Sequence, residues 1–465
     1  MTHMHLVQRI KSDIDLLLLH QLHADTYPYL LETAVTSTAQ HFDILFAFPR
    51  QTLVLRQDSL IFESEKTLAD DTLRAGNDFI NNLDQWWHKE KNPSHGPDSL
   101  PFTGGWFVFL SYELAGQIEP TLHLPRNAHC EPVAFATRIP AALIKDHNTG
   151  DLYAVAEDGE QPLIDAMVSH VQSAQNAQPE NFPAGLPDAT VTEENPAIYL
   201  AGVDKIKHYI KNGDVFQVNL SRWWNIQFTR KPSSAQLYRQ LRIHNPSPFF
   251  GLAKYGDSVI ISSSPERLVK VRHHSISTRP IAGTRPRSGQ SHHDLELRNE
   301  LMAHPKERAE HIMLIDLERN DLGRICTPGS IKVDELMALE SYSHVHHIVS
   351  NITGQLRDEV TPGQVLRAMF PGGTITGCPK VRCMEIIAEL EASGRGAYTG
   401  SMGYINLNGD MDFNILIRTM VQCENNVRLR AGAGIVADSI AEKELAETRA
   451  KAKGLLNSLG LAGHL

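Results

Sequence analysis

The sequence predicts an α+β fold, and three observations carry that prediction. Strand-like apolar runs in the first part of the chain (Phe42 to Phe48, Leu53 to Leu55, Gly105 to Phe109, Pro140 to Ile144) are separated by polar or helical text, without regular βαβ alternation. Further on, Tyr199, Val203, Ile206 and Ile210 form one helical stripe, Gly213 stands where a helix C-terminus favours glycine, and a strand follows at Val215 to Ser221. Near the C-terminus, Asn408-Gly409 is a strong hairpin signal just ahead of alternating Met411, Phe413, Ile415 and Ile417.

The hairpin text predicts three antiparallel strands between about Tyr398 and Ala433, with a second turn at Glu424-Asn425-Asn426 and a strand at Asn426 to Ala431. In that alternation Arg418 points away from the Ile415/Ile417 face. A closing helix is predicted over Ala441 to Ser458. From Gln172 to Asn195 the text is rich in Gln, Asn, Pro and Ala and lacks hydrophobic periodicity. It divides an N-terminal region, 1–171, from a larger C-terminal region, 196–465, with a linker over 172–195.

Composition narrows the function classes. With 42% hydrophobic and 21% charged residues, the 465-residue chain can bury a large core and is not a disordered protein. The 44 Lys and Arg against 54 Asp and Glu leave a net charge of −10, with no excess to hold a phosphate backbone, so no nucleic-acid partner is expected. Leu16 to Leu19 is the longest early apolar run, too short for a membrane span, and the N-terminus lacks a signal-peptide pattern. No membrane role and a cytoplasmic location are the expectations. The 5 cysteines are scattered without C-x-x-C spacing, which points to reduced core thiols and against a disulfide framework or a thiolate zinc site.

Several groups could carry chemistry. Glu307 and Glu310 follow Pro305, a first-turn residue, and share a helix face; Glu444, Glu447 and Lys451 share another. Such carboxylates could ligate Mg²⁺, or could form solvated faces with a Glu447–Lys451 pair. His344, His346 and His347 lie in a strand-like stretch, Tyr342 to Ser350, where His347 shares its face with Val345 and Val349. It reads as a hydrogen-bonded core histidine or a general base. The clusters Gly372-Gly373-Thr374, Gly394 to Gly400 and Gly432-Ala433-Gly434 lack the Lys-Ser/Thr of a P-loop. The last would let a ligand carboxylate approach backbone N–H groups, or would mark a strand-end bulge.

Ordered strings along most of the chain carry a family resemblance. They are GDVFQVNLS (213–221), SSSPERLV (262–269), RPIAGTRPR (279–287), KERAEHIMLIDLERNDLGR (306–324), ESYSHVHHIVSNITG (340–354), FPGGTITGCPKVRCMEII (370–387), AYTGSMGY (397–404), ILIRTM (415–420) and AGAGIVADS (431–439). Together they resemble the chorismate-utilising enzymes: anthranilate synthase component I, aminodeoxychorismate synthase component I, and the isochorismate and salicylate synthases. The resemblance implies an α+β sandwich in which two subdomains with antiparallel sheets, flanked by helices, pack together around an active site in the C-terminal part.

It also implies roles. Glu310 and Glu447 would ligate Mg²⁺, with Glu307 and Glu444 helping through water. Tyr398 and Arg418 would hold the enolpyruvyl carboxylate of chorismate, with Gly432, Gly434 and Lys451 completing substrate binding. Glu266 would be the general acid for the departing C4 hydroxyl, and His347, Thr374 and Gln217 would line the ring. Gln217, where isochorismate and salicylate synthases use a lysine, favours ammonia as nucleophile. A separate glutaminase subunit is then expected, because no Gly-x-Cys-x-Gly motif is present.

GGWFVFLSYELAGQIEP (104–120) and FPGGTITGCPKVRCMEIIAELE (370–391) look most like the aminodeoxychorismate group, which adds nitrogen at C4. Ala282 in the PIxGT motif, where that group usually has Lys, and Asn245-Pro246-Ser247-Pro248-Phe249 look more like anthranilate synthases. A chorismate-binding subunit without turnover is a further alternative. Leu31-Glu32-Thr33 resembles the family segment that, with Asn245 to Phe249, forms an aromatic amino-acid pocket; as plain text it is a strand of the N-terminal sheet.

Overall fold

The computed structural model describes residues 6–33, 41–57, 59–63, 76–92, 99–176, 185–286, 305–341, 345–461 and 463. Among the described residues, two large antiparallel sheets form the body, one of 12 and one of 11 strands. Helices flank them, so the fold is the α+β sandwich expected.

Both sheets draw strands from both ends of the chain. In the first, Tyr29–Glu32 from the N-terminal region pairs with Phe249–Tyr255, joining five early strands to the later ones. In the second, Gly105–Leu110 pairs with Ser401–Asn406. Three apolar clusters fill the layers, one of them an aromatic set from both regions that includes Phe46, Phe107, Phe135, Met402 and Tyr404. The N-terminal region therefore continues the sheets of the catalytic region across backbone hydrogen bonds.

Sequence patterning locates most elements. Strands run over Phe42–Ala47, Thr52–Arg56, Gly105–Leu110 and Ala141–Asp146, close to the predicted apolar runs. The striped helix spans Pro196–Lys211; the Asn195 side chain accepts from Ala197 N–H at its start, and Gly213 takes φ +83° just beyond its end. The closing helix is Ala441–Ser458, as predicted.

Three expectations are corrected. The helix Gln161–Asn176 runs into the predicted linker, and Ala189–Glu193 within it is a strand paired with Gln217–Phe228. Residues 177–184 of that linker lie outside the described residues. The region from Tyr398 to Ala433 forms four strands, in two sheets. Ser401–Asn406 and Met411–Asn414 belong to the second sheet, while Thr419–Cys423 and Asn426–Ile435 belong to the first. The chain crosses between sheets at residues 415–418, where Ile415 and Leu416 are both buried, so the predicted alternation stops at Asn414. Finally, Cys130 and Cys423, separated by 293 residues, form a disulfide with Cα atoms 6.2 Å apart, leaving Cys326, Cys378 and Cys383 free. Spacing could not show that pairing, because one sulfur comes from each region.

Among the described residues no helix is long and apolar enough to cross a membrane.

Candidate active site

The crossing between sheets places Arg418. Its backbone is left-handed (φ 52°), and its carbonyl accepts from both the N–H (3.1 Å) and the hydroxyl (3.2 Å) of Ser263. Among the described residues the half-buried guanidinium makes no ion pair or side-chain hydrogen bond. Burial holds its pKa below the usual arginine value, opposed by the charge of Glu266. An arginine kept out of water without an anion is a ready site for one.

Glu266 lies within reach of that cation. Its backbone is pinned on both sides: Ile415 N–H donates to its carbonyl at 3.0 Å, and its own N–H donates to Ser264 Oγ at 3.2 Å. The carboxyl is buried and accepts one long backbone N–H, from Ile281, at 3.3 Å. Burial pushes its pKa up to about 7, against the pull of Ile281, Thr374 and Arg418. A carboxyl that still holds its proton near neutrality can act as a general acid.

Thr374 is presented by a short 3₁₀ turn, Gly373–Ile375. A Cβ at Gly372 would sit 2.8 Å from Ile415 Cδ1, and one at Gly373 would sit 2.3 Å from Leu317 Cδ2, so glycines let the turn pack flat against both. The Thr374 hydroxyl lies toward Glu266 without completing a hydrogen bond. Among the described residues, the buried atoms Thr374 Oγ1, Gln217 Oε1, Asn219 Oδ1 and Tyr199 Oη in this region lack protein partners. Such a concentration of unsatisfied groups is what a polar ligand would satisfy.

The strand pair Gln217–Phe228 and Asn426–Ile435 gathers the remaining candidates. Gly434 faces Asn219 across it, and Gly432 faces Ser221. These glycines lie within the strand rather than at a bulge, and side chains fill the space they leave. A Cβ at Gly434 would meet Gln217 Nε2 at 2.2 Å, and one at Gly432 would meet Tyr398 Oη at 2.7 Å. Lys451 Nζ bridges Gly432 O at 2.9 Å and Glu447 Oε1 at 2.8 Å. Tyr398, Gln217, Gly432, Gly434, Lys451 and Glu447 thus form one neighbourhood.

Glu444 and Glu447 both act on the Tyr199 hydroxyl, raising its pKa beyond the effect of burial. Glu310 is half-buried on the helix Pro305–Gly323, and the Glu307 side chain lies outside the described residues. Carboxylate oxygens suit a hard cation such as Mg²⁺, but among the described residues Glu310, Glu444 and Glu447 do not form a group with ligand atoms within 4.8 Å of one another. The one trio of metal-capable side chains within 4.8 Å of one another among the described residues is a different one, His129, Cys130 and Glu131.

His347 is buried on the strand Val345–Gln355, where it faces Thr284 on one side and Glu340 on the other. His344 and the side chains of His346 and Ala282 lie outside the described residues. The strand carrying Leu31 and Glu32 pairs with Phe250–Ala253, just after the Asn245–Phe249 segment. Glu32 and Thr33 line a cavity of about 330 Å³ together with Asp15, Asp43, Lys145, His147 and Arg242. Glu32 accepts from Tyr238 Oη at 2.7 Å and from Arg242 at 3.1 Å, and burial with Asp43 nearby pushes it up to about 7. Asn245 instead donates to Ser263 Oγ at 2.6 Å, Ser247 donates to Ser264 O, and the Phe249 ring lies 4.9 Å from the Arg267 guanidinium carbon.

Sequence reasoning missed Asn219 and Tyr199. Gln217, Asn219 and Ser221 alternate on one face of a strand, a polar period-2 pattern that could have flagged Asn219. Tyr199 sits in a helical apolar stripe and gives no such signal.

Comparison with known proteins identifies the family. The profile of the chorismate binding enzyme family matches residues 42–457. The chain is 42% identical over 388 residues to an anthranilate synthase component I-like protein of Synechocystis, covering 82% of this chain and 78% of that one. It is 40% identical over 388 residues to aminodeoxychorismate synthase component 1 of Bacillus subtilis, covering 81% of each. The crystal structure of anthranilate synthase component I from Streptococcus pneumoniae superposes with a TM-score of 0.78 at 31% identity, covering 91% of this chain and 94% of that one. The chain therefore belongs to the chorismate binding enzyme family.

Proposed function

We propose that the protein is the synthase component of an aminodeoxychorismate synthase, a cytoplasmic enzyme that replaces the C4 hydroxyl of chorismate with ammonia and feeds 4-aminobenzoate and folate synthesis. The observation that carries an amination reading is the juxtaposition of Arg418 and Glu266: an unpaired guanidinium beside a carboxyl that keeps its proton to about pH 7. Chorismate offers a carboxylate to the first and a hydroxyl to the second. Glu266 gives its proton to the departing hydroxyl, which leaves as water; ammonia forms the new C–N bond and loses one proton. Arg418 and Tyr398 hold the enolpyruvyl carboxylate, and Gln217, Asn219 and Thr374 supply polar atoms toward the ring.

Mg²⁺ held by Glu310 and Glu447, with Glu307 and Glu444 through water, would bind the ring carboxylate and draw electron density from the diene. Lys451 would then exchange its bond with Glu447 for the substrate. A glutaminase subunit would supply the ammonia, in keeping with relatives named as component I or 1.

Anthranilate synthesis is the second reading, favoured by Ala282 and by the pneumococcal structure. A chorismate-binding subunit without turnover has no use for a protonated Glu266 beside the leaving group. Incubating the chain with chorismate, Mg²⁺ and ammonium, with and without an aminodeoxychorismate lyase, decides among them. The proposal expects 4-aminobenzoate only when the lyase is present. Direct anthranilate fluorescence would select the second reading, and unchanged chorismate absorbance would overturn both.

A further inference from the structure

We propose that the Cys130–Cys423 disulfide is a reversible modification site that sets substrate affinity, with Glu131 as the positioning residue through which it acts. The substrate part of this inference rests on the assignment of Tyr398 and Arg418 to the chorismate carboxylate.

Cys423 ends the strand Thr419–Cys423, which begins one residue after Arg418. Cys130 belongs to the N-terminal region, so the bond ties a loop of that region to the strand leading from Arg418. The next residue in that loop, Glu131, has a side chain only 3% exposed. Its Oε1 accepts from Asn127 Nδ2 at 2.7 Å and from Ala397 N–H at 3.3 Å, and its Oε2 lies 2.8 Å from His129 Nδ1. Ala397 immediately precedes Tyr398. A Cβ at Gly396 would stand 2.1 Å from Glu131 Oε1, so this glycine lets the carboxylate close on the backbone. A second N-terminal carboxylate, Glu113, accepts from Arg395 N–H at 2.6 Å and Gly396 N–H at 3.1 Å.

Two carboxylates thus hold the backbone just before Tyr398, and just after it Thr399 N–H donates to Leu416 O and Leu416 N–H donates to Gly400 O, both at 2.8 Å; only the Glu131 loop is joined through the disulfide to the strand from Arg418. Behind the Tyr398 segment lies a cavity of about 20 Å³, about the room of one water molecule, bordered by His129, Glu131, Tyr398, Thr419, Arg428 and Arg430. With the bond closed, a covalent link runs from the Arg418 strand to the Glu131 loop, and the Glu131–Ala397 hydrogen bond completes the tie to Tyr398. With it open, the Glu131 loop is held by hydrogen bonds alone.

Both cysteines are partly exposed, so a small disulfide can reach them. The Cys130 thiolate attacks one sulfur of glutathione disulfide and expels glutathione; the Cys423 thiolate then displaces the second glutathione from the mixed disulfide. The protein loses two electrons and two protons, and the glutathione disulfide leaves as two thiols.

The test poises the full chain in glutathione disulfide or in dithiothreitol. It reads free thiols by alkylation and mass spectrometry, KM and kcat for chorismate with ammonium, and hydrogen exchange across residues 394–400. The inference expects 3 alkylated cysteines in the oxidised form and all 5 in the reduced form. On reduction KM should rise about threefold to tenfold, the worth of one positioning hydrogen bond, with kcat within about twofold. Amides in 394–400 should exchange faster. Cys423→Ser and Cys130→Ser should show the high KM in either poise. Glu131→Ala should show it with the disulfide intact, and Glu131→Gln, which keeps an acceptor for Ala397 N–H, should restore most of the affinity.

Five alkylated cysteines in both poises, a KM and exchange rate indifferent to poise, or a zinc ion held by the thiols that blocks oxidation would each overturn the inference. If chorismate is not turned over in either poise, the functional reading fails, while thiol count and exchange still judge the switch.

Discussion

Glu266 and Glu391 are equally buried, at 4% and 5% exposure, and are driven to opposite charge states. Glu391 accepts from Arg395 at 2.7 and 3.0 Å, from Arg430 at 2.9 Å, and from the N–H and hydroxyl of Ser221 at 2.8 and 2.9 Å. These partners hold its pKa below the usual carboxylate value despite burial. Glu266 has one long N–H donor and a cation that does not bond to it, and its pKa rises to about 7. Burial alone therefore does not mark an active acid; burial with the partners withheld does. The two sites are nonetheless linked, because Arg395 stands three residues before Tyr398, and its guanidinium carbon lies 5.6 Å from that ring's centroid.

This contrast predicts two different kinds of failure. Glu391→Gln leaves two buried arginines short of an anion, and should cost about 3–5 kcal/mol of stability in chemical denaturation. A loss no larger than that of an exposed glutamate variant would break the contrast from the structural side. Arg418→Ala removes a cation that makes no ion pair or side-chain hydrogen bond among the described residues, so stability should hold. KM for chorismate should rise about tenfold to a hundredfold, the range of a charged hydrogen bond. An unstable Arg418→Ala protein with unchanged KM would mean that the arginine is structural.

Much of this site was legible in the sequence, for reasons that can be named. Ser264-Pro265-Glu266, the Ile415 to Met420 string and the closing helix are contiguous motifs, and local text located Glu266, Arg418, Glu447 and Lys451. The crossing between sheets was hidden, because Ile415 and Ile417 continue the period of Met411 and Phe413 although the strand ends at Asn414. The Glu391–Arg430 pair and the bonds of Glu113 and Glu131 to the segment before Tyr398 were hidden because those partners stand 39, 282 and 266 residues away, and a glutamate carries no trace of a group brought to it by folding. The same holds for Cys130 and Cys423. Asn219 lay in between: its alternation with Gln217 was visible, but its unsatisfied amide oxygen was not.

The most direct test of the Glu266–Arg418 account is the pH dependence of kcat for chorismate consumption in the wild type and in Glu266→Gln. Glu266 must be protonated to act, and its folded-state pKa is raised from the usual carboxylate value to about 7. Activity should therefore be full at acidic pH and fall as pH rises through about 7. Glu266→Gln should lower kcat by about 10²- to 10⁴-fold and abolish that limb. A Glu266→Gln enzyme with wild-type kcat, or one that keeps the same falling limb, would contradict the assignment of the acid.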